Sequence, residues 1–364
     1  MSITRYAQIA RMFLQGRWPS YLILFVTAHC NSHCRMCFNW QKIDDFRNRP
    51  ELTLVEIDKI SKGLKNLLYL TISGGEPTLR DDLPEIIKIF TQRNKVQFVT
   101  LPTNGVMSSR ICDLVDKILY ENPKVSFRIV LPLDGVGNLH DEIRGLSGNF
   151  NRFLETYYKL DHLRSKYDNF DLDVNTVLSN YNCGRVKEII DFVDRTLNVD
   201  NHVLALVRGN TREPRARIFT VKDAEEAIHL IEERSIRNPY RRRDPGRDII
   251  KALKLRMRDV VLETLKKNRA VIPCLAGRKM IMIDDIGDLY PCELLDKKIA
   301  SLRAINFNME KALFSSEAQK IKDWIIKSKC FCTFECALQA SVAFNLREAP
   351  HLFAKFIKVK SGLF

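Results

Sequence analysis

Three cysteines near the start of the chain are spaced so that their thiolates can bind one inorganic cluster. Cys30, Cys34 and Cys37 are separated by three and then two residues. An iron–sulfur cubane normally takes four thiolates, so a set of three leaves one iron open to a substrate or cofactor, as in catalytic metal sites. The alternative interpretation is a zinc knuckle, or a structural cluster completed by His29, His33 or a distant cysteine.

A second group of cysteines lies towards the other end of the chain and contains Cys274, Cys292, Cys330, Cys332 and Cys336. These five thiols exceed the four that one cubane needs. A four-cysteine zinc site is the alternative, although the C-x2-C pairs that are common at zinc sites are absent from this group. The sequence therefore contains ligands for a second metal centre.

Glycine and polar residues follow several apolar runs that have the composition of strands. A Ser-Gly-Gly-Glu-Pro stretch contains Gly74 and Gly75, whose missing Cβ atoms let the backbone approach a ligand. Glu76 and nearby carbonyls can accept hydrogen bonds from an ammonium group. Asn104 and Asp134 follow the next two runs, and barrel enzymes place their chemistry at the carboxyl ends of strands. These residues are candidates for ligand binding.

Alternating strand and helix patterns in the first half of the chain predict repeated βαβ units and a parallel sheet. The predicted strands are 21–27, 68–73, 96–101, 126–133, 171–178 and 202–207, and the helices between them are 54–67, 83–93, 109–120, 151–165 and 185–195. Six strands are too few for a closed eight-stranded TIM barrel. An open, partial (β/α)6 barrel fits this α/β pattern better than a doubly wound sheet, although periodicity alone does not separate the two.

The rest of the chain has a different character, and we predict five segments in all. They are an N-terminal amphipathic helix (1–20), the barrel (21–210), a basic helical segment (211–270), a cysteine-containing domain that opens with a hairpin (271–346) and a basic aromatic tail (347–364). Residues 234–269 carry 13 Lys and Arg against 4 Asp and Glu. We expect this stretch to be a solvated helical face, with a phosphate-binding patch as the alternative.

Composition limits the class of protein. The net charge of +14 favours anionic partners: nucleic acid, a phosphorylated substrate, an anionic membrane or an acidic redox protein. No apolar run is long enough for a transmembrane helix, and no secretory signal is predicted. Ten cysteines in such a chain indicate metal or redox sites rather than disulfides. Cys112 and Cys183 stand outside both groups and are predicted to be small buried hydrophobic residues.

The first cysteine loop, with Phe38 directly after it, resembles the C-x3-C-x2-C signature of the radical S-adenosylmethionine (SAM) superfamily. The resemblance covers about residues 20–210 by motif order. It implies a partial barrel of six β/α units in which three cysteines hold a SAM-binding [4Fe–4S] cluster. The SAM-binding residues that it implies are Phe38, Gly74, Gly75, Glu76, Asn104, Asp134 and Arg144. Pro132 replaces a serine that members often carry, which argues against a serine contact to SAM.

A His-Asp-x-x-Arg-Gly stretch is similar to one seen in members with an extra cluster domain. Its Arg144 suits the carboxylate of SAM, or forms a structural ion pair with Asp141 or Glu142. Asn175 and Arg208, at the ends of the fifth and sixth strands, are further candidates for the site.

The second cysteine group resembles the auxiliary-cluster extensions called SPASM and twitch, through the spacing Cys274-x12-Gly287-x4-Cys292. A full SPASM pattern has seven cysteines and two clusters. Because this chain has five, we expect a single, twitch-like auxiliary [4Fe–4S] cluster and one spare cysteine, either Cys330 or Cys332.

The resemblance implies an enzyme that reductively cleaves SAM to a 5′-deoxyadenosyl radical, which removes hydrogen from a small, lipid-like or phosphorylated metabolite. The alternatives are a maturase that modifies a peptide or protein, and a non-enzymatic zinc or nucleic-acid-binding protein. An acidic flavodoxin or ferredoxin is the expected electron donor, steered by the basic surface, and no specific nucleic acid is expected. We predict an anaerobic, cytoplasmic oxidoreductase. We expect its two amphipathic ends to pack on the barrel or the cluster domain, with contact to the anionic inner membrane surface as the alternative.

Overall fold

A single mixed sheet organises the chain. The computed structural model describes residues 16–237 and 245–361, and within them nine strands have the order β6-β5-β4-β3-β2-β1-β7-β8-β9. The strands are β1 Tyr21–Thr27, β2 Tyr69–Gly74, β3 Phe98–Pro102, β4 Ser126–Pro132, β5 Phe170–Leu178, β6 Asn201–Leu206, β7 Met280–Ile283, β8 Asp288–Tyr290 and β9 Ala300–Ser301.

The described helices alternate with the first six strands and then follow them. They are α1 Trp40–Asp44, α2 Leu54–Lys62, α3 Leu83–Arg93, α4 Ser108–Glu121, α5 Asn138–Arg144, α6 Asn149–Arg164, α7 Val186–Thr196, α8 Val221–Arg237, α9 Pro245–Lys267, α10 Met309–Leu313, α11 Ser316–Lys327, α12 Glu335–Ala343 and α13 Ala349–Ser361. None of them is long and apolar enough to cross a membrane.

Strands β1 to β6 are all parallel and pair in sequence order. This confirms the predicted partial barrel of six β/α units, with strand boundaries within a few residues of the predicted ones. Every residue of β1 is buried, as expected for a central strand covered on both faces. The carboxyl ends of the six strands therefore meet at one rim, where the cysteine loop follows β1.

The C-terminal extension continues the same sheet. Strand β7 pairs with β1 in parallel, and β8 and β9 follow in antiparallel order. The predicted hairpin is thus confirmed as β7 and β8. Its parallel pairing with β1 was not predicted from the sequence.

The basic segment packs against the barrel. Helices α8 and α9 share a hydrophobic cluster with β6 and α12, to which Ile228, Met257 and Val260 contribute. Arg256 is buried in an ion pair with Glu348 at 2.7 Å. The expected solvated face is therefore wrong for this part of the segment.

The two ends of the chain were predicted to be amphipathic. Residues 1–15 of the N-terminal helix lie outside the described residues. The tail forms α13, which packs on α9 through an ion pair of Lys355 with Asp259 at 2.8 Å. Phe353 and Ile357 of α13 remain exposed.

Alanine in place of Gly75 is expected to lower the free energy of unfolding. A Cβ on Gly75 would lie 2.2 Å from the carbonyl oxygen of His29 in the cysteine loop. Such overpacking against backbone costs about 1–3 kcal/mol or more. The measurement is urea denaturation, with Gly184→Ala as the control, because a Cβ there meets nothing within 4 Å. Equal stability of the two variants would contradict the close contact.

Candidate active site

The three cysteines of the first group lie on one loop that leaves the carboxyl end of β1. The loop turns at Cys34, whose carbonyl oxygen accepts a hydrogen bond from the N–H of Cys37 at 3.1 Å. Burial, together with the neighbouring Cys34 thiol, raises the pKa of Cys30 and of Cys37 to about 12. The free thiols are therefore protonated at neutral pH, and a bound metal centre would deprotonate them.

Contacts from distant elements hold this loop in place. The amide nitrogen Nδ2 of Asn104, at the end of β3, donates to Oδ1 of Asn31 at 2.6 Å and to Oγ of Ser32 at 3.1 Å. After α5, Gly145 packs so closely on His33 that a Cβ would lie 2.4 Å from the His33 carbonyl oxygen. The loop is thus fixed before any cofactor binds.

Glu76 is buried and joins the ends of β2 and β3. Its carboxylate accepts hydrogen bonds from the N–H and hydroxyl of Thr78, at 3.1 and 2.6 Å. It also accepts from the hydroxyl of Thr103 at 2.7 Å and the N–H of Asn104 at 2.6 Å. Burial nevertheless raises the pKa of Glu76. Its observed contacts tie the residues that follow the Gly-Gly turn to the end of β3, and its contact with the amino group of SAM stays a prediction.

Arg144 forms an ion pair with Asp134, at 3.2 Å, rather than with either of the two acids considered from the sequence. Asp134 is fully buried, and its other oxygen accepts the N–H of Val177 at 2.8 Å. Asp141 instead accepts backbone N–H groups just after α5. The alternative of an ion pair between Arg144 and Asp141 or Glu142 is therefore wrong, because the partner comes from the end of β4.

The guanidinium of Arg144 faces the cysteine loop. Its Nε is buried and has no hydrogen-bond partner among the described residues. Burial alone would lower the pKa of Arg144, but the neighbouring Cys34 and Asp134 raise it. The side chain is thus a permanent cation that still has hydrogen-bonding capacity beside the thiols.

One cavity of about 230 Å³ brings the predicted site residues together. Its lining includes Cys30, Cys34, Cys37, Phe38, Gly74, Gly75, Glu76, Asn104, Arg144, Asn175 and Arg208. Asp134 does not line it, because Asp134 lies behind Arg144. The cavity opens at the rim formed by the carboxyl ends of the strands.

A second cavity of about 260 Å³ lies inside the barrel and adjoins the first. Ser73, Asn175 and Arg208 are among the residues that line both. Helix α9 contributes Lys254 and Arg258 to its lining. Sequence reasoning missed both side chains as site residues, and the only hint of them was the high density of basic residues in that segment.

Arg208 separates the two cavities. Its guanidinium forms ion pairs with Glu335 at 2.7 Å and with Glu293 at 3.3 Å. It also lies over the ring of Phe334, 4.4 Å from the centroid, and over the ring of Phe38 at 5.5 Å. The extension thereby supplies both carboxylates that hold this boundary residue.

Comparison with known families decides the class of this site. The model of the Radical SAM superfamily matches residues 24–193, which include the whole cysteine loop and the Gly-Gly turn. Residues 24–193 are a Radical SAM superfamily domain. A [4Fe–4S] cluster and SAM are therefore its cofactors, and three thiols beside a buried cation with an unused donor fit this pair.

Curated relatives of this radical SAM chain are named as enzymes. A GTP 3′,8-cyclase of Haemophilus ducreyi is 28% identical over 37% of this chain and 42% of that protein. An AdoMet-dependent heme synthase of Methanosarcina barkeri is 25% identical over 78% of this chain and 80% of that protein. The chain thus spans less than half the length of the first of these relatives. Their names argue against the non-enzymatic class.

Solved structures of other proteins share the fold. SuiB of Streptococcus suis has a TM-score of 0.59 at 15% identity, with 88% of this chain and 71% of that chain covered. The structure of anSMEcpe with bound AdoMet has a TM-score of 0.57 at 16% identity, with 94% and 98% covered. At such identities the likeness concerns the fold, including its extension.

The second cysteine group of this radical SAM protein divides into four cysteines and one. Cys274, Cys292, Cys330 and Cys332 influence one another electrostatically. Among the described residues no three Cys, His, Asp or Glu side chains converge as they would around a single ion. A cubane instead spreads its ligands over four irons.

Cys336 is the cysteine that stands apart. It is on the first turn of α12, where its thiol lies beside Tyr21 and Glu293 and lines the second cavity. This placement differs from the predicted spare residues, Cys330 and Cys332, because the start of α12 faces the barrel. Cys112 and Cys183, predicted to be buried, are only partly buried.

Proposed function

We propose that this chain reductively cleaves SAM and uses the resulting radical to remove hydrogen from a small metabolite. The observation that carries the proposal is the single cavity that holds three thiols, a Gly-Gly backbone and the Arg144 cation. Cys30, Cys34 and Cys37 would hold the cluster. Arg144 would bind the carboxylate of SAM, since a guanidinium fork matches a carboxylate.

The bound cluster and SAM supply the hydrogen-abstracting radical chemistry of the superfamily. The chain's own residues have other tasks. Asp134 orients Arg144, Asn104 fixes the cysteine loop, and Glu76 ties the end of β2 to the end of β3. The barrel wall excludes water, which would otherwise give side reactions.

The second cavity is the proposed place for the substrate. It adjoins the SAM cavity, and its lining contains charged residues from the strands, α9 and the extension. Its volume of about 260 Å³ suits a small molecule. The charged lining favours a polar, phosphorylated or carboxylated metabolite over a lipid chain, because buried charges need partners.

A peptide substrate is the second candidate. It is favoured by a structural neighbour, Streptococcus suis SuiB bound to its precursor peptide SuiA. That structure is similar to this chain with a TM-score of 0.56. The curated relatives support the first candidate, because their names are those of a GTP cyclase and a heme synthase.

Cys274, Cys292, Cys330 and Cys332 are the proposed ligands of one auxiliary [4Fe–4S] cluster. Their mutual proximity supports this set, while Cys336 faces the substrate cavity. Such a cluster would relay an electron from the substrate radical or anchor the substrate.

The proposed partners follow from charge. An acidic flavodoxin or ferredoxin suits a chain with a net charge of +14. Contact with an anionic membrane is supported by the exposed Phe353 and Ile357 among the lysines of α13.

Anaerobic purification followed by incubation with SAM and dithionite tests the proposed function. We expect 5′-deoxyadenosine, detected by mass spectrometry, and none when dithionite is omitted. Protein-free metabolite extracts should stimulate its formation more than peptide fractions do. Iron-loaded protein that leaves SAM intact would contradict the proposal, and stimulation by peptide fractions alone would favour the second candidate.

A further inference from the structure

The floor of the second cavity contains a buried ammonium group without a hydrogen-bond partner. Lys254 reaches it from α9, and its Nζ is inaccessible to solvent and makes no hydrogen bond within the described residues. The nearest acid is Asp173 of β5, whose Oδ2 lies 3.8 Å away. That distance allows an electrostatic contact but exceeds the length of a hydrogen bond.

The side chains around Lys254 that line the cavity include more bases than acids. Arg128 and Arg258 line the same part of the cavity, and Asp173 is the acid among the described residues that line it there. Asp173 is already engaged, because its Oδ2 is 3.1 Å from Nε of Arg128. Arg128 also lies 3.5 Å from Asp171, which is outside the lining. Nζ of Lys254 is therefore a basic group at the floor that lacks an acceptor among the described residues.

Burial makes an ammonium group without an acceptor costly. Desolvation, reinforced by Arg128, lowers the pKa of Lys254 to about 7, although Asp173 acts in the opposite direction. A buried charge is stable only when it is paired and hydrogen-bonded. An anion at the floor would supply the missing acceptor for Nζ.

We propose that the floor of the second cavity binds an oxyanion of the substrate, a carboxylate or a phosphate, through Lys254 with Arg128 and Arg258. This inference rests on the proposed function, because it places the anionic end of the substrate at the floor. The rest of the substrate then extends towards the residues shared with the SAM cavity, Ser73 and Asn175.

Equilibrium dialysis of the cluster-loaded, SAM-saturated protein with radiolabelled sulfate or acetate tests the floor site. SAM saturation fills the first cavity, so that Arg144 does not bind the probe. We expect Lys254→Met to weaken binding about tenfold or more, since a charge-assisted hydrogen bond is lost. Lys254→Arg should retain binding. Stronger binding of sulfate indicates a phosphate substrate, and stronger binding of acetate a carboxylate.

The pH dependence gives a second measurement. The groups that face Lys254 are Asp171 and Asp173 of β5, Arg128 of β4 and Arg258 of α9. Sulfate does not titrate between pH 6 and 8.5, and neither do the arginines. Because Lys254 loses its proton as pH rises through about 7, sulfate binding should weaken over this range. Binding by Lys254→Arg should stay level, which would exclude the two acids as the cause.

The matched control is Lys267→Met, on the exposed end of the same helix, where Lys267 pairs with Glu263. It should bind both anions as wild type does. Equal binding by Lys254→Met and wild type would overturn the inference, as would absence of binding to wild type. Formation of 5′-deoxyadenosine in the same preparations reports on the proposed function separately, so the two can fail independently.

Discussion

Alanine in place of Cys37 is expected to abolish the formation of 5′-deoxyadenosine while leaving the barrel folded. The Cys37 backbone is held by its own hydrogen bonds, to Cys34 and from the N–H of Arg212 at 3.0 Å. Removal of the thiol therefore changes the ligand set and little else. We expect a loss of about a thousandfold or more, because the cluster that would supply the electron to SAM would lose one of its three thiolate ligands.

The measurement pairs iron content with turnover under dithionite. Cys183→Ala is the control, because Cys183 is a partly buried thiol outside both cysteine groups. It should retain the iron and the activity of wild type. If Cys37→Ala cleaved SAM within about tenfold of the wild-type rate, the assignment of the first group would have to be abandoned.

Alanine at Cys292 is expected to remove the auxiliary cluster, whereas alanine at Cys336 is expected to retain it. Cys292 is buried beside Cys274 and Cys332, while Cys336 lies beside Tyr21. The iron content of Cys292→Ala should fall from about eight to about four atoms per chain. That of Cys336→Ala should stay at about eight.

Iron and sulfide analysis of anaerobically prepared protein checks this pair. Cys292 is buried and Cys336 is partly buried, so loss of packing is expected to be no larger in Cys336→Ala than in Cys292→Ala. Loss of iron in Cys336→Ala, with retention of iron in Cys330→Ala or Cys332→Ala, would contradict this assignment. It would support Cys330 or Cys332 as the cysteine that is not a ligand, as predicted from the sequence.

Local pattern predicted the six barrel strands and the hairpin, because their apolar runs and turn residues are contiguous. The parallel pairing of β7 with β1 joins residues such as Leu22 and Ile281. Residues this far apart in the sequence show no periodic pattern that would predict their pairing. Strand β9 has only two residues, which is too short to show the alternation of apolar and polar residues that predicts a strand.

The candidate site likewise contains residues that the sequence predicted and residues that it did not. The spacing of the three cysteines identified the first group, because ligands of one cluster that lie on a single loop must be only a few residues apart in the sequence. Sequence spacing did not predict the ion pair of Arg144 with Asp134, which joins α5 to the end of β4. It also missed Lys254, because a lysine of a basic helix has the same pattern whether it faces solvent or a cavity.

Strand β7 makes the extension a structural part of the barrel. Without it, the hydrogen-bonding edge of β1 would be bare, and β1 is the strand whose seven residues are all buried. An uncovered apolar edge recruits strands from other molecules. A fragment cut before β7 would therefore aggregate, so the fold resists separation into a catalytic half and an auxiliary half.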